Sequence, residues 1–367
     1  MPSRHRSIGL DVLRAVAVLM VLVRHAEPCP AGSSGWGHAV WQHLQRGGWA
    51  GVDLFFVLSG FLVGGLLFHE FHETGTLKFG RFFIRRAFKI YPPFWVFLGF
   101  LIAWSFRTRG FVGPLLPEVF FYQNYVRGIW GTNWSLAVEE HFYLLLPAVL
   151  LCLAAVRGAE RPFLQFPRLF GLLAVVCFAL RAWNASNPYD EYTHLTPTHL
   201  RLDGLFFGAV LAYYHTYEHE RFVAFCRRHG RWLLAGGVAA FLPAYLLPLE
   251  ESLFMQIGGF ALHWLGAGAL VCFTLSRTTV PGKTARALAA IGRTSYATYL
   301  WHFWISRIGF PALAQIAGFE WNWTIRTVCY FIATLGAGFL LTAYIERPFL
   351  WLRDQQFPRG DNETMRQ

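Results

Sequence analysis

Arg14 and His25 stand in one apolar stretch, Ile8 to Ala26, that also holds Asp11 and Arg24. They are eleven positions apart. In a helix that spacing returns the two side chains to within ~20° of one another, with ~16 Å between them along the axis. One helix face would carry a fixed cation at one end and a titratable imidazole at the other. Ionisable groups at membrane depth are costly and usually face a bundle interior or a wet cavity, so they mark function. The competing reading is that Arg14 snorkels to an interface and His25 simply ends the helix. The chemistry open to such a pair is proton transfer by the imidazole beside a fixed positive charge.

Five further constellations could carry chemistry. In Asn133–Tyr143, Ser135, Glu139 and Tyr143 are spaced by four and share a helix face behind Trp134. Counting turns from the start of that helix puts Glu139 at the depth expected for His25, where a carboxylate could fix the imidazole tautomer and raise its basicity. In Gly51–Leu62, Asp53 opens an apolar helix and Ser59-Gly60 lies mid-span, where small residues let helices approach. Arg201 and Asp203 begin another apolar segment, to pair with each other or to meet a polar acceptor. Ser295, Tyr296 and His302 make a polar-aromatic helix, and Glu346-Arg347-Pro348 closes the series. The basic run Arg81, Arg85, Arg86, Lys89 could grip phosphates, or could serve membrane orientation and lipid headgroups. No metal site is expected: His69 with His72 and His194 with His199 have loose spacing and no third ligand. The six cysteines are scattered, mostly inside apolar spans, and read as small core residues.

The elements that must position these residues are membrane helices. Of 367 residues, 55% are hydrophobic and only 14% charged, against about 25% charged in a soluble domain. We expect an all-α polytopic bundle of about ten spans, near 8–26, 49–68, 90–107, 134–156, 168–183, 200–217, 232–249, 254–275, 290–310 and 323–345. Residues 1–350 would form one transmembrane domain and 351–367 a short tail. The glycine-rich segment between the first two spans reads as an irregular loop, and 115–125 as an interfacial or re-entrant piece. Asp11 and Arg14 interrupt any signal-peptide core, so the first span is expected to remain. A formal charge of +11 could suggest nucleic acid, but the cations fall in alternate short loops, as orientation signals do, which excludes that reading and puts both termini in the cytoplasm. No internal repeat of the kind many transporters carry is visible.

In this order the pieces resemble the integral-membrane acyltransferase family 3. The resemblance runs from Leu10-Asp11-Val12-Leu13-Arg14 to Glu346-Arg347-Pro348-Phe349, through Arg14 with His25, the Gly51–Leu62 run, Trp134-Ser135-Leu136 with Glu139 and Phe142-Tyr143, and Ser295-Tyr296 to His302. It implies a ten-helix enzyme of a bacterial inner membrane that moves an acyl group, often acetyl, from cytoplasmic acyl-CoA to a hydroxyl of a carbohydrate or secondary metabolite. Acyl-CoA is then a co-substrate, and no cofactor is permanently bound. The family regards the residues matching Arg14 and His25 as functional. Its paired arginines after the second helix are here Arg86 and Lys89, which keep the charge and lose one bidentate fork. Many relatives carry a further esterase-like domain, so a second transfer step would need a separate extracytoplasmic partner.

The residues fit this implied chemistry. A CoA head suits the cations Arg85, Arg86 and Lys89, and its long arm suits the tract from Arg14 to His25. His25 could take the acceptor hydroxyl proton or carry the acyl group itself. A transporter or flippase of a lipid-linked or sugar substrate is the competing class, and turnover of a thioester separates the two.

Overall fold

The computed structural model describes residues 7–30, 35–110, 112–157, 162–277, 282–318 and 322–357. Five of the cations that contribute to the alternating pattern, Arg4, Arg6, Arg161, Arg359 and Arg366, and the tail from 358 lie outside the described residues. The protein is an all-α polytopic membrane protein, with no strand among the described residues. The helices used below are α1 (Ile8–His25), α2 (Trp36–Gly47), α3 (Gly51–Thr74), α4 (Phe79–Arg109), α5 (Trp134–Arg157), α6 (Phe166–Asn184), α7 (Leu202–Tyr217), α8 (His219–Ala239), α9 (Phe260–Ser276), α10 (Lys283–Arg293), α11 (Ser295–Trp304), α12 (Phe310–Ala317), α13 (Trp323–Leu341) and α14 (Arg347–Gln356).

Helix is found at all ten expected positions, but not always as one uninterrupted span. Six stretches among the described residues are long and apolar enough to cross a membrane. The other four positions depart for local reasons. α1 carries Asp11, Arg14 and Arg24. α7 is 16 residues long. The 232–249 stretch breaks after Ala239 and resumes as Leu242–Leu246. The 290–310 stretch is divided among the end of α10, α11 and a π-turn at Ile305–Gly309. One expectation is corrected: the glycine-rich segment before α3 contains a helix, α2. Its glycines cluster at the ends, with Gly35 at φ 114° entering it and Gly47-Gly48 closing it, which leaves helix-forming residues between. The 115–125 piece folds as a single helical turn, Leu116–Val119, followed by bends.

The chain divides into two compact units, Met1–Gly75 with Pro114–Arg293, and Thr76–Gly113 with Thr294–Gln367. In the first, α3 and α7 form the tightest pair. A Cβ on Gly60 would lie 1.8 Å from the Leu205 carbonyl oxygen, and one on Gly208 would lie 2.2 Å from that of Val57. Gly64 faces Ala209, so the two helices run in the same direction with backbones in contact, as small residues allow in apolar surroundings. α1 runs against α3 in the opposite direction: Gly51 meets Ala17 and Met20, while Gly48 meets Met20 and Arg24. In the second unit α4 packs on α11 through Phe97 and Trp301, whose rings lie 5.0 Å apart, and α14 returns beside α4.

Candidate functional site

α1 is started by Ser7, whose hydroxyl accepts from the Leu10 N–H at 3.4 Å, and it ends where Ala26 turns extended at ψ 162°. Asp11 is buried and lies 4.0 Å from Arg293 of α10. Arg14 and His25 are both half-buried on this helix, and His25 is its last residue. Beyond His25 the chain is pinned from outside: Gln45 of α2 donates its amide to the Ala26 carbonyl at 2.9 Å. Arg24 lies 3.9 Å from Glu250.

Glu139 gathers a cluster of its own. Its Oε2 accepts from the Tyr143 hydroxyl at 2.5 Å and from the Ser59 hydroxyl at 3.2 Å, and those two hydroxyls are 2.8 Å apart. The spacing of four that predicted a shared face for Glu139 and Tyr143 is thus realised against the mid-span serine of α3. The depth assigned to Glu139 is corrected. α3 meets Ala17–Met20 at Gly51, so Ser59, eight residues further along α3, lies about 12 Å deeper, level with the Asp11–Arg14 half of α1. Counting turns from each span's start misplaced it because α2 and the turn at Gly48–Ala50 stand beside the His25 end, and α3 begins only below them.

A second buried network ties four helices together. Asp53 of α3 pairs with Arg201 and accepts from His263 Nδ1 of α9 at 2.8 Å. Asp203 pairs with Arg181 of α6 at 2.7 Å and accepts from the Trp264 indole at 3.1 Å. Arg201 and Asp203, two residues apart, therefore take different partners. The Arg201 guanidinium carbon sits 4.1 Å from the Phe260 ring centroid and 5.6 Å from that of Trp134, and His263 stacks on Phe241 at 5.2 Å. Ser135, next to Trp134, is buried. Sequence reasoning missed Arg181 and His263. Both are ionisable residues inside apolar spans, the signal that had picked out Arg14, and would have been found by applying it evenly. It also missed Glu118, fully buried in the turn before α5, which accepts from the Trp130 N–H at 2.9 Å. Burial pushes the Glu118 carboxyl above the usual carboxylate range, against the backbone donors that hold it down.

In the second unit the basic run of α4 is already engaged. Lys89 pairs with Glu346 and Arg85 with Asp354 of α14, while Arg86 lies over the Phe82 ring at 5.9 Å. The Tyr296 hydroxyl donates to the Ile90 carbonyl at 2.8 Å, which fixes α11 on α4. Ser295 is buried, and the buried His302 donates through Nδ1 to the Tyr299 carbonyl at 2.5 Å. The histidines with loose metal-like spacing have local partners: His69, which with His72 lies on α3 and not in a loop, pairs with Glu73 at 2.9 Å, His194 with Thr193 at 2.8 Å and His199 with Tyr125 at 3.2 Å.

Comparison with known proteins agrees with this architecture. The acyltransferase domain family matches residues 7–343. A Staphylococcus aureus (strain COL) protein named for O-acetyl transfer is 26% identical over 93% of this chain and 57% of its own length. The peptidoglycan O-acetyltransferase OatA of Listeria monocytogenes serovar 1/2a is 25% identical over 95% of this chain and 57% of its own. The O-acetyltransferase OatA of S. aureus (strain NCTC 8325) is 23% identical over 80% and 50%. The chain thus spans about half the length of the curated relatives it matches. No solved structure matches it.

Proposed function

The chain belongs to the acyltransferase domain family, and on that premise we propose that it is a membrane-embedded O-acyltransferase moving an acyl group, acetyl by preference, from cytoplasmic acyl-CoA to a hydroxyl of a carbohydrate or small-molecule acceptor. The observation that carries the reading is the polar face of α1, with half-buried Arg14 and half-buried His25 on a helix otherwise packed through Leu13, Ala17, Val18, Val21 and Leu22.

The acceptor oxygen forms the new ester bond at the thioester carbonyl, and the carbon–sulfur bond breaks. His25 takes the hydroxyl proton as the oxygen attacks and returns it to the departing thiolate of CoA. General base assistance of this kind contributes about 10²–10⁴-fold. Arg14 holds a positive charge on the same face for the polarised donor. Glu139, locked by Ser59 and Tyr143, supplies a fixed carboxylate at the Arg14 level. The O-acetyl transfer named for the relatives supports acetyl as the group moved, and the peptidoglycan named for the Listeria protein supports a carbohydrate acceptor. We place the protein in the cell inner membrane with both termini cytoplasmic.

The test is turnover of acetyl-CoA by purified protein in detergent with a panel of hydroxyl acceptors. His25→Ala should lose at least 10²-fold in rate while the protein still inserts and accumulates. Wild-type turnover should also fall as acid protonates the imidazole. Near-normal turnover by His25→Ala removes the residue from the mechanism.

A further inference from the structure

In the second unit, the last turn of α14 sets a carboxylate between two guanidinium groups. Asp354 Oδ1 accepts from Arg85 Nη2 and from Arg353 Nε, each at 2.9 Å, and its Oδ2 accepts from Arg353 Nη2 at 3.0 Å. Arg85 Nη1 donates to the Phe357 carbonyl, which fixes the orientation of its fork. The two cations are mostly covered, 17% and 13% exposed, whereas the carboxylate they hold is 53% exposed. The donors are built in and the acceptor faces outward. The neighbouring pair is the opposite case: Glu346, bound to Lys89, is only 3% exposed.

That contrast decides which cations are available. Arg forks grip carboxylate and phosphate oxygens with the same geometry. An ion pair with one exposed partner contributes little, because water and salt compete for it. A phosphate with more charge and more acceptor oxygens can take its place. Exchange at Lys89 would strand the buried Glu346 charge, which is costly. We infer that Arg85 and Arg353 form a clamp for a phosphate group of the acyl donor's nucleotide head, and that Asp354 is the resident carboxylate this phosphate displaces. The inference rests on the acyl-CoA reading above. Of the cations expected to hold the head, Arg85, Arg86 and Lys89, it keeps Arg85 and adds Arg353, and Arg353 and Asp354 stand beyond residues 7–343 matched by the family.

The same clamp chemistry would suit a phospholipid headgroup, so the experiment separates the two sources. Full-length protein is placed in nanodiscs of neutral lipid and, separately, of lipid containing an anionic phospholipid. Binding is measured for CoA, for adenosine 3′,5′-bisphosphate (the head without the arm) and for S-acetylpantetheine (the arm without the head). In neutral lipid, Asp354→Asn should bind CoA and the bisphosphate roughly three- to tenfold more tightly, and Arg353→Gln roughly tenfold more weakly. Neither should alter S-acetylpantetheine binding. A gain of affinity cannot come from a misfolded variant, so Asp354→Asn keeps the test decisive if Arg353→Gln accumulates poorly. Unchanged CoA binding in both variants, with CoA still bound by wild type, overturns the clamp and leaves the donor reading intact. Absence of CoA binding by wild type in either lipid overturns both. Variants that alter only the response to anionic lipid assign the clamp to a headgroup and overturn the donor assignment.

Discussion

Asp53 shows what a single residue can and cannot reveal before its neighbours are known. Its place in the first turn of an apolar helix is plain in the sequence, but its two partners, Arg201 and His263, are 148 and 210 positions away. The Arg201–Asp203 pair is equally deceptive: two opposite charges close in sequence suggest a mutual contact, and each instead satisfies a different helix. Buried ion pairs of this kind give little net stability when intact, but are expensive to break because one charge is left without compensation. We therefore expect Asp53→Asn to destabilise the protein by about 3–5 kcal/mol, from stranding Arg201. Thermal unfolding of the detergent-solubilised variant measures this, and the paired change Asp53→Asn with Arg201→Met should recover much of the loss. A variant with wild-type stability would mean that the network carries no weight in the fold. Arg14, His25 and Glu139 were visible from residue type and spacing alone. The depth of Glu139 was not, since depth depends on how neighbouring helices are staggered.

Helix positions were readable wherever a long apolar run had clear ends, as in α5, α6 and α13, whose observed bounds fall within a few residues of the expected ones, while α3 runs six residues past its expected end to Thr74. Hydropathy does not register breaks inside such runs. The π-turns at Met255–Gly259, Ile305–Gly309 and Thr342–Glu346 leave the hydropathy unbroken, and of the three the last two have a proline just beyond them, Pro311 and Pro348. The break after Ala239 has Pro243 just beyond it, a weak local signal. α2 was hidden for a different reason: at 12 residues it is too short to span, and the glycines that flank it dominate its composition. Its polar side docks through His43 to the Tyr245 carbonyl and Gln45 to Ala26, while Trp36, Val40 and Leu44, at helical spacing, remain exposed. An element of this kind is set by tertiary contacts, and no sequence window contains them.

For the molecule as a whole, the proposed reaction depends on which end of each helix faces the cytoplasm. On the proposed orientation, read from the alternating basic loops, α2 lies outside and the turn between α3 and α4 inside. Impermeant thiol labelling of intact cells, in a background without native cysteines, tests this. A cysteine at Gln42, exposed on α2, should react from outside, and one at Thr76, exposed before α4, should react only after permeabilisation. The reverse pattern would invert the protein and remove cytoplasmic acyl-CoA as donor. Labelling of both positions from outside would break the span count.

The backbone contact between α3 and α7 has a mechanical consequence. Helices that touch through Gly60, Gly64 and Gly208 have no side-chain layer to deform, so sliding one past the other by even one residue, about 1.5 Å, drives a side chain into a carbonyl. This seam moves as a rigid body, and neither shear nor alternating access can run through it. A Cβ on Gly65 would lie 3.9 Å from the Ala212 Cβ, within the reach of a disulfide. Locking the seam by Gly65→Cys with Ala212→Cys should therefore leave acyl transfer within about twofold of the reduced protein, a difference of under roughly 0.5 kcal/mol in barrier. An enzyme whose two substrates meet between fixed walls tolerates that lock. If oxidation arrests turnover and reduction restores it, the seam opens during the cycle, and the protein works as a gate as much as a catalyst.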